Sequence, residues 1–357
     1  MLSRSPMHVR VVRPDRLSPD ELDDYLERGW FRIGQALMTC RVVQFDGGLR
    51  PAIWTRLPLE GHRFSRSNRK LLNRNRRRYR IEIGSVTVDD EREALYQQYR
   101  EVARGERSPS LDEFLHGDSE ASVFDTREIQ VRDGSRLVAF SWFDEGREGV
   151  QSLIGVYDPQ LAKDSLGFTT MLAEVEWARD EGKRYFYPGY VLPGDATMDY
   201  KRRIGPLEFF DPDVRVWRPI AAMDGLPLAT VRLESALEEA RAALEERGIP
   251  ARIVRYPWFE APAWQPDLGA CLDQPMVVEC WPVPGSGTLL LVMYDLDRSI
   301  WALVRCLRAR AVTRGRSELD VPIELWLVAE RLGSRTSPDA IAGEVARVGN
   351  ALRLAGK

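Results

Sequence analysis

The chain has 357 residues, with 44% hydrophobic and 29% charged residues and a formal net charge of −3. This composition is typical of a folded, water-soluble protein, and the length fits one large domain or two ordinary ones, since single cores stop growing near roughly 250–300 residues. No apolar run approaches the roughly 20 residues that cross a bilayer, and residues 1–16 lack the apolar region of a secretory signal. We therefore exclude an integral membrane protein and a secreted one, and we expect a cytoplasmic location.

Short helices and strands are predicted along the first third of the chain. Ser18-Pro19-Asp20-Glu21 has the pattern of a helix start, with a capping serine, a proline at the first helical position and acids in the first turn, and Gly29 ends this helix. Gly47-Gly48 predicts a turn. Hydrophobic spacing predicts these further elements: strands over 35–45, 52–57 and 81–88, and helices over 67–77 and 90–104.

The middle of the chain has the clearest pattern. Asp133-Gly134 is a strong signal for a tight turn between two strands. The predicted elements are strands over 129–132, 137–143, 149–157 and 184–187, and a helix over 166–181. A hairpin, a third strand, a helix and a further strand follow one another in the order expected of a GNAT-type acyltransferase. We therefore expect an α/β (α+β) fold with a GNAT-like core, which by itself fixes no chemistry.

The pattern changes after residue 220 and indicates a second, smaller α/β domain. A long helix rich in Glu and Arg spans 226–247 and is closed by Gly248-Ile249-Pro250. Strands are predicted over 252–256, 276–281, 289–294 and 323–329, and helices over 299–310 and 338–354, the last capped by Ser337. The predicted domains are residues 1–222 and 226–357. The sequence leaves the role of the second one open.

Cysteine and histidine are too few and too scattered to encode a metal site. Four cysteines and three histidines occur, and none of them have the spacing of zinc or iron–sulfur ligands. We therefore predict no metal. A mechanism with several histidines is also excluded, whereas a single histidine base is not.

Positive charge is concentrated in residues 61–80, which we call the basic segment. It contains nine Arg or Lys and no acid, so the rest of the chain holds 42 basic and 54 acidic residues, a balance of −12. Clustered cations favour a polyanion through counterion release, and the planar forks of arginine suit phosphate oxygens. A solvated basic helix or a disordered block is the alternative. Phe64, Leu71, Leu72 and Tyr79 give the segment apolar anchors, which favours a folded helix with a binding role.

Several short segments, in chain order over residues 16–220, resemble the arginyl-tRNA–protein transferases and their bacterial leucyl-transferring relatives, the aspartate/glutamate leucyltransferases. Each segment is weak alone, and the ordered set is fairly specific. The segments are RGWFRIG at 28–34, FSRSNRK at 64–70 with Asn75, SLG at 165–167 with Glu174 and Ala178, YFYPGY at 185–190, MDYK at 198–201, PLE at 206–208 and WRPI at 217–220.

The resemblance implies an enzyme that moves an amino acid, of the arginine or leucine type, from its tRNA to an amine of a protein or peptide. Aminoacyl-tRNA is then a co-substrate, and no bound cofactor is expected. The family opens with a cysteine-rich module, and residues 1–39 contain no cysteine, so we expect that module to be absent. Residues 195–197 also differ from the family pattern. The amino acid, the acceptor and the oligomeric state stay open.

An aminoacyl-tRNA is an activated ester, so the chemistry needs a positioned amine, a stabilised oxyanion and a cationic path for the RNA. The predicted tRNA-binding residues are Arg28, Trp30, Arg32, Arg66, Arg69, Lys70, Arg74, Arg76, Arg77 and Arg78. The predicted catalytic residues are Tyr187, Tyr190, Asp195, Asp199, Tyr200 and Lys201. Core packing is the alternative for Trp30, and local turn formation is the alternative for the two aspartates.

Three other functions stay possible at this point. The first is a tRNA-dependent ligase acting on a small peptide or metabolite, and the second is a non-catalytic RNA-binding protein with a GNAT fold. The third is an acetyl-CoA-dependent N-acetyltransferase. The third is disfavoured because Lys163-Asp164-Ser165-Leu166-Gly167-Phe168, with one glycine and an acid, makes a poor phosphate cradle before the helix.

Overall fold

The structure is a computed structural model that describes residues 8–105, 107–117, 119, 121–280, 288–314 and 320–355. It mixes helices and strands in several sheets, which confirms the expected α+β class. The helices are α1 (Pro19–Glu27), α2 (Arg66–Arg78), α3 (Asp90–Val102), α4 (Leu111–His116), α5 (Leu166–Asp180), α6 (Ala196–Asp199), α7 (Ala229–Glu246), α8 (Ala261–Trp264) and α9 (Pro338–Ala355).

The strands are β1 (Val9–Val12), β2 (Phe31–Ile33), β3 (Ala36–Cys40), β4 (Val42–Phe45), β5 (Gly48–Pro51), β6 (Ile53–Pro58), β7 (Arg80–Ser85), β8 (Thr126–Asp133), β9 (Arg136–Glu145), β10 (Gly149–Tyr157), β11 (Tyr185–Val191), β12 (Glu208–Asp211), β13 (Val216–Pro219), β14 (Ala251–Arg255), β15 (Met276–Cys280), β16 (Thr288–Asp295), β17 (Ile300–Arg314) and β18 (Asp320–Arg335).

The chain packs as two compact units. The N-terminal unit holds residues 11–39 and 45–226, and the C-terminal unit holds 40–44 together with the described residues of 1–10 and 227–357. The predicted domains, 1–222 and 226–357, stay a prediction, because a division by packing does not show that either part folds alone.

An eight-stranded sheet, ordered β13-β12-β6-β11-β10-β9-β8-β7, forms the centre of the N-terminal unit. Its neighbours run antiparallel except β10 and β11, which are parallel. Two parallel neighbours need a crossover connection, and α5 supplies it. The β8–β9 hairpin turns at Gly134, whose φ of +61° suits a residue without a side chain.

The parallel pair separates part-way along its length. Residues pair from Gly149–Tyr185 to Gln151–Tyr187, and β10 and β11 then continue unpaired with each other. Beyond this point β11 pairs on its other edge with β6, where Tyr190 lies opposite Trp54. The β10–β9 pairing shifts register between Ser152 and Ile154, and the β11–β6 pairing shifts between Phe186 and Gly189. Since β-bulges bend the strands that carry them, these irregularities account for the separation of β10 from β11. We call the space between the two strands the β10–β11 gap.

Helices cover the two faces of this sheet with separate apolar clusters. On one face α5 and α2 pack over a cluster that includes Leu57, Phe143, Leu172 and Phe186. On the other face α3 and α4 pack over a cluster of Tyr96, Leu111, Phe140, Trp142 and neighbouring residues. Phe143 and Trp142 are adjacent in β9 and face opposite ways, as the two-residue period of a strand requires.

Helix α1 begins as the sequence predicts. The Ser18 side chain accepts a hydrogen bond from the Glu21 amide, and the Glu21 carboxylate accepts from the Ser18 amide, which is a complete capping box. Gly29 follows the helix with a φ of +73°, and a side chain there would collide with the ring of Phe210. The signals that define this helix are therefore local and readable from the sequence.

The C-terminal unit has a five-stranded antiparallel sheet, ordered β14-β15-β16-β17-β18, on which α7 and α9 pack. The helix predicted over 299–310 is wrong, since β17 spans this stretch. Trp301 to Val304 are four consecutive buried residues, so side chains on both faces of β17 are covered here. A short apolar run buried on both faces has no strand alternation, so its period did not identify it.

In the part of the chain that the structure describes, no helix has the length and apolar character needed to span a membrane.

Candidate active site

Lys201 lies at the β10–β11 gap. After β11 the chain forms α6 and a 3-10 helix over Tyr200–Ile204, which brings Lys201 back against the strand. Its Nζ donates to the carbonyl of Tyr190 at 2.8 Å and lies 5.4 Å from the centroid of that tyrosine ring. Desolvation lowers the pKa of Lys201 to about 8, and the positive charge of Arg107 adds to this effect. The amine is therefore poised to change charge near neutral pH.

Gly189 makes room for this amine. A Cβ at residue 189 would lie 3.3 Å from Lys201 Nζ, and the φ of +89° already favours glycine. The Gly189 carbonyl accepts a hydrogen bond from Thr55 Oγ1 at 2.6 Å, which fixes the bend in β11. The bend and the missing side chain together position Lys201.

Tyr200 and Tyr190 approach the same end of β11 from two sides. The Tyr200 ring meets Phe168 of α5 edge-on, at 6.2 Å between centroids, and the Tyr190 ring meets Trp54 edge-on at 5.2 Å. Burial, the neighbouring Tyr99 and the Glu174 carboxyl together raise the pKa of Tyr200 above its ordinary value. Tyr200 is therefore a neutral hydroxyl throughout the physiological range.

Tyr187 does not join this group. Its side chain is buried, and its ring contacts those of Phe31 and Trp217 at 6.0 and 5.7 Å between centroids. Burial raises the pKa of its hydroxyl well above the ordinary value. The catalytic role predicted for Tyr187 finds no support in this packing, which makes it part of the core.

The two predicted aspartates lie in the loop and helix that follow β11. Asp195 is buried, and its carboxylate lies 3.9 Å from Arg104 Nη1. Asp199 is exposed and lies 3.6 Å from Arg202 Nε, three residues away. The cation beside Asp195 is thus distant in sequence, whereas the ion pair of Asp199 is local. Their catalytic roles stay predictions.

The basic segment forms α2, as predicted, and one face of this helix is fixed by polar contacts. Asn68 Nδ2 donates to the carbonyl of Arg203 at 2.7 Å, which ties α2 to the 3-10 helix that carries Lys201. Asn75 Nδ2 donates to the carbonyl of Asp164 at 2.9 Å and to Thr169 Oγ1 at 2.6 Å, which ties the helix to the start of α5. Leu72 is buried between these two contacts.

The other sides of α2 carry cations, and the cations that flank the buried face contact protein oxygens. Arg76 pairs with Glu176, Arg78 pairs with Asp164 at 2.9 Å, and Arg74 donates to the Asp164 carbonyl at 3.1 Å. Three further predicted residues make no ion pair or side-chain hydrogen bond with the residues that the structure describes: Arg66, Lys70 and Arg77. Exposed cations without a protein partner are the ones most available to phosphate.

Arg28 and Trp30 lie just after α1. The Arg28 guanidinium donates to the carbonyl of Asp24 at 2.8 Å and stacks on Tyr25, which also meets Trp30 edge-on. Trp30 is only partly buried, so it keeps an accessible aromatic surface. This geometry leaves the predicted contact with nucleotides possible for both residues.

Arg32 has a structural role instead of the predicted tRNA-binding one. Its side chain is 2% exposed and donates to Asp144 Oδ1 at 2.7 Å. The Asp144 side chain is itself fully buried. The other contacts of Arg32 are Thr126 Oγ1 at 2.8 Å and the carbonyls of Leu115 and Gly34 at 2.7 and 2.6 Å. The guanidinium is thus committed to protein oxygens and cannot reach a phosphate.

Comparison with known proteins identifies the family. A family model described as "Arginine-tRNA-protein transferase, C terminus" matches residues 91–211. An aspartate/glutamate leucyltransferase of Xanthomonas axonopodis pv. citri is 31% identical over 181 residues, which cover 48% of this chain and 71% of the relative. The chain belongs to the arginyl-tRNA–protein transferase and leucyltransferase family. It is therefore an aminoacyltransferase, and the resemblance found in the sequence is confirmed.

Other relatives carry the same name. The aspartate/glutamate leucyltransferase of Leptospira interrogans (serovar copenhageni) is 28% identical over 207 residues, covering 56% of this chain and 77% of the relative. That of Helicobacter hepaticus is 29% identical over 216 residues, covering 57% and 86%. Among solved structures, the C-terminal domain of a putative lysylphosphatidylglycerol synthetase from Agrobacterium fabrum matches at a TM-score of 0.33 and 13% identity, covering 40% of this chain and 47% of that one.

Glu174 lies within the family match and was not predicted as a site residue. It is fully buried, and neither carboxyl oxygen has a hydrogen-bond partner among the described residues. Burial raises its pKa to about 8, an effect that the nearby Ser141 and Ser152 hydroxyls oppose. The sequence offers two signals: Glu174 belongs to one of the segments that resemble the family, and it lies in the apolar run MLAEVEWA. In the structure Glu176, two residues away, pairs with Arg76 instead of being buried.

Among the described residues, no three or more His, Cys, Asp or Glu side chains gather in a way that could hold a metal ion. The four cysteines are free and buried, and burial raises the pKa of each thiol. Thiols held in the neutral form are poor nucleophiles and poor metal ligands.

Proposed function

We propose that this family member transfers leucine from leucyl-tRNA to the N-terminal amine of a protein that begins with Asp or Glu. The names of the relatives support this donor and acceptor, and arginine is the alternative donor, since the matching family model is named for it. We also propose that the eight-stranded sheet with its β10–β11 gap is a GNAT-like core, and that the protein acts in the cytoplasm, where charged tRNA is available.

The observation that carries the proposal is the attachment of α2 beside the gap. Asn68 of this cation-rich helix donates to the Arg203 carbonyl. Arg203 is only two residues after Lys201, so the contact holds α2 close to that lysine. A tRNA whose acceptor stem lies along α2 could then present its 3′-terminal ester to the gap without crossing the molecule. Charge density on α2 and a titratable amine at the gap are the two features that such a substrate needs.

On this proposal the reaction exchanges an ester for an amide. The neutral α-amine attacks the carbonyl carbon, a carbon–nitrogen bond forms, and the bond to the ribose 3′-oxygen breaks. Lys201, as a cation, donates to the developing oxyanion, and the Tyr200 hydroxyl is a second donor. A free α-amine has a pKa near about 8, so a useful neutral fraction exists at pH 7.

The proposed RNA contacts divide into two groups. Arg66, Lys70 and Arg77 bind phosphates directly, and the other cations of α2 join them by exchanging their protein partners for RNA: Arg69, Arg74, Arg76 and Arg78. Arg28 and Trp30 are proposed to hold a nucleotide by stacking, for which an aromatic ring beside a guanidinium is suited. Arg32 is left out because its guanidinium is buried.

The experiment is a transfer assay on the full chain. Purified protein is incubated with tRNA charged with radiolabelled leucine or arginine, and with peptides beginning with Asp, Glu or Ala. Label on the Asp and Glu peptides, abolished by RNase, supports the proposal, and the donor that transfers identifies the amino acid. Label only on a small peptide or metabolite, label only from acetyl-CoA, or tight tRNA binding without transfer supports one of the three alternative functions.

A further inference from the structure

Glu174 is an ionisable residue that is completely buried in the middle of α5. Among the ten buried residues of α5 it is the only ionisable one, and its side chain is 0% exposed. A buried carboxyl without a partner destabilises the fold, because its hydrogen bonds to water are lost and not replaced. Such groups are kept where they serve a function, and they concentrate at active sites.

Three elements place Glu174 at the β10–β11 gap. The nearby Ser141 and Ser152 hydroxyls belong to β9 and β10, and Ser152 directly follows Gln151, the last β10 residue that pairs with β11. On the other side, Tyr200 lies close enough for the charge of Glu174 to raise its pKa. Glu174 therefore lies between the first unpaired residue of β10 and the segment that carries Lys201.

Apolar side chains form the core on the face of the sheet that α5 covers. They include Phe143 and Val150 of the strands and Phe168 and Met171 of α5. The Glu174 carboxyl raises the pKa of Tyr200, and among the described residues no Lys, Arg or His belongs to the groups that shift the pKa of Glu174 itself. The carboxyl is thus free of an ion pair that would occupy its oxygens.

We propose that Glu174 is the proton carrier of the transfer reaction, a role that rests on the proposed function. The acceptor amine enters the β10–β11 gap and displaces side chains that cover Glu174. As the neutral amine attacks, the Glu174 carboxylate takes one proton from the amine nitrogen. When the bond to the ribose 3′-oxygen breaks, the carboxylic acid gives that proton to the leaving oxygen. The carboxylate is regenerated and no further reactant is needed. A carrier whose pKa lies near the working pH can perform both halves of this exchange, and burial sets the pKa of Glu174 at about 8.

The test compares the full chain with its Glu174→Gln variant in the transfer assay, from pH 6 to pH 9. We expect a loss of about 10²-fold in the rate at saturating substrates, the lower end of the range for general acid–base catalysis. The affinity for charged tRNA should stay within twofold. The ratio of wild-type to variant rate should rise with pH to about 8 and then level off, because only the wild type gains an ionised carrier. Ionisation of the acceptor amine affects both proteins equally and leaves the ratio unchanged.

Two further variants make the result decisive. Glu181→Gln, at the exposed end of α5, is the matched control and should keep the wild-type rate. Glu174→Asp retains a carboxyl that is one methylene shorter, so it should keep partial activity with the same pH dependence. A Glu174→Gln rate within twofold of wild type, or a ratio independent of pH, overturns the proton-carrier role. A wild type that transfers nothing from any charged tRNA overturns the proposed function instead.

Discussion

The side-chain amide of Asn68 donates to the main-chain carbonyl of Arg203 at 2.7 Å, across 135 residues of sequence. Asn68 is 3% exposed, so this bond is shielded from water and has no easy replacement. It connects α2, the helix with the proposed RNA-binding cations, to the segment that carries Lys201. The position of the proposed RNA surface relative to the gap depends on this contact.

Replacing Asn68 with Ala should therefore weaken both stability and transfer. The Arg203 carbonyl loses its partner, and we expect a decrease of about 1–2 kcal/mol in the free energy of unfolding. Transfer should fall further than tRNA binding, because the cations of α2 remain while their position changes. Urea unfolding, a binding titration and the transfer assay measure the three quantities. Asn73→Ala, on the exposed side of the same helix, is the matched control, and an equal effect there would contradict this account.

The exposed cations should determine the salt dependence of tRNA binding. Arg66, Lys70 and Arg77, replaced together by Ala, should lower the slope of log affinity against log salt by about 2–3, since each phosphate contact contributes roughly 0.7–0.9. Arg147, Arg179 and Arg184 form exposed ion pairs elsewhere in the N-terminal unit. Their triple Ala variant is the control and should leave the slope unchanged. A slope that both variants leave intact means that α2 does not contact the RNA.

Gly189 and Gly194 allow the position of Lys201 to be tested without changing the lysine. Both have positive φ, +89° and +81°, so Ala at either position should cost about 1 kcal/mol of stability. A Cβ at 189 would also press on Lys201 Nζ, whereas a Cβ at 194 would meet nothing within 4 Å. We therefore expect Gly189→Ala to reduce the transfer rate at saturating substrates, and Gly194→Ala to leave it unchanged. Similar rates in the two variants would show that the placement of Lys201 is unimportant.

The pH dependence of stability tests the burial of Glu174 independently of activity. Because its folded-state pKa is raised to about 8, the folded chain holds a proton that the unfolded chain releases above about pH 4.5. The stability that this proton contributes is complete below the unfolded pKa and is lost as pH rises to about 8. Relative to Glu174→Gln, the wild type should lose up to about 1.4 kcal/mol per pH unit in this window. Parallel curves for the two proteins would mean that the carboxyl is hydrated.

The sequence predicted those parts of the fold that depend on short-range signals. Helix α1 follows from its capping box, the β8–β9 hairpin from Asp133-Gly134, and α2 from its apolar anchors. The strand β17 was mistaken for a helix because four consecutive residues near its start, Trp301 to Val304, are all buried and show no two-residue alternation. The order of the elements in the N-terminal unit was predicted from hydrophobic spacing. The β10–β11 gap was not, because it accompanies register shifts in the neighbouring strands that have no sequence signature.

The same distinction explains the site residues. Lys201 and Tyr190 were predicted from two motifs that lie close together in sequence, and the structure brings Lys201 Nζ to the carbonyl of Tyr190. Their catalytic roles stay predictions. In the sequence nothing distinguishes Arg32 from the arginines of α2. Only the tertiary structure reveals that its side chain is buried in an ion pair with Asp144. Glu174 and Glu176 are two residues apart in one helix, and which of them is buried depends on how α5 rotates against the sheet. Such rotations are set by packing and not by composition.

The most direct test of the central claim is a single-turnover experiment with labelled leucyl-tRNA, a peptide beginning with Asp, and excess protein. We expect the label to leave the tRNA and to appear on the α-nitrogen of the peptide, as located by sequencing from the N-terminus. Lys201→Met should reduce the rate by about 10²-fold or more. Bound leucyl-tRNA that keeps its label in the presence of the peptide, with arginyl-tRNA equally unreactive, would contradict the central claim.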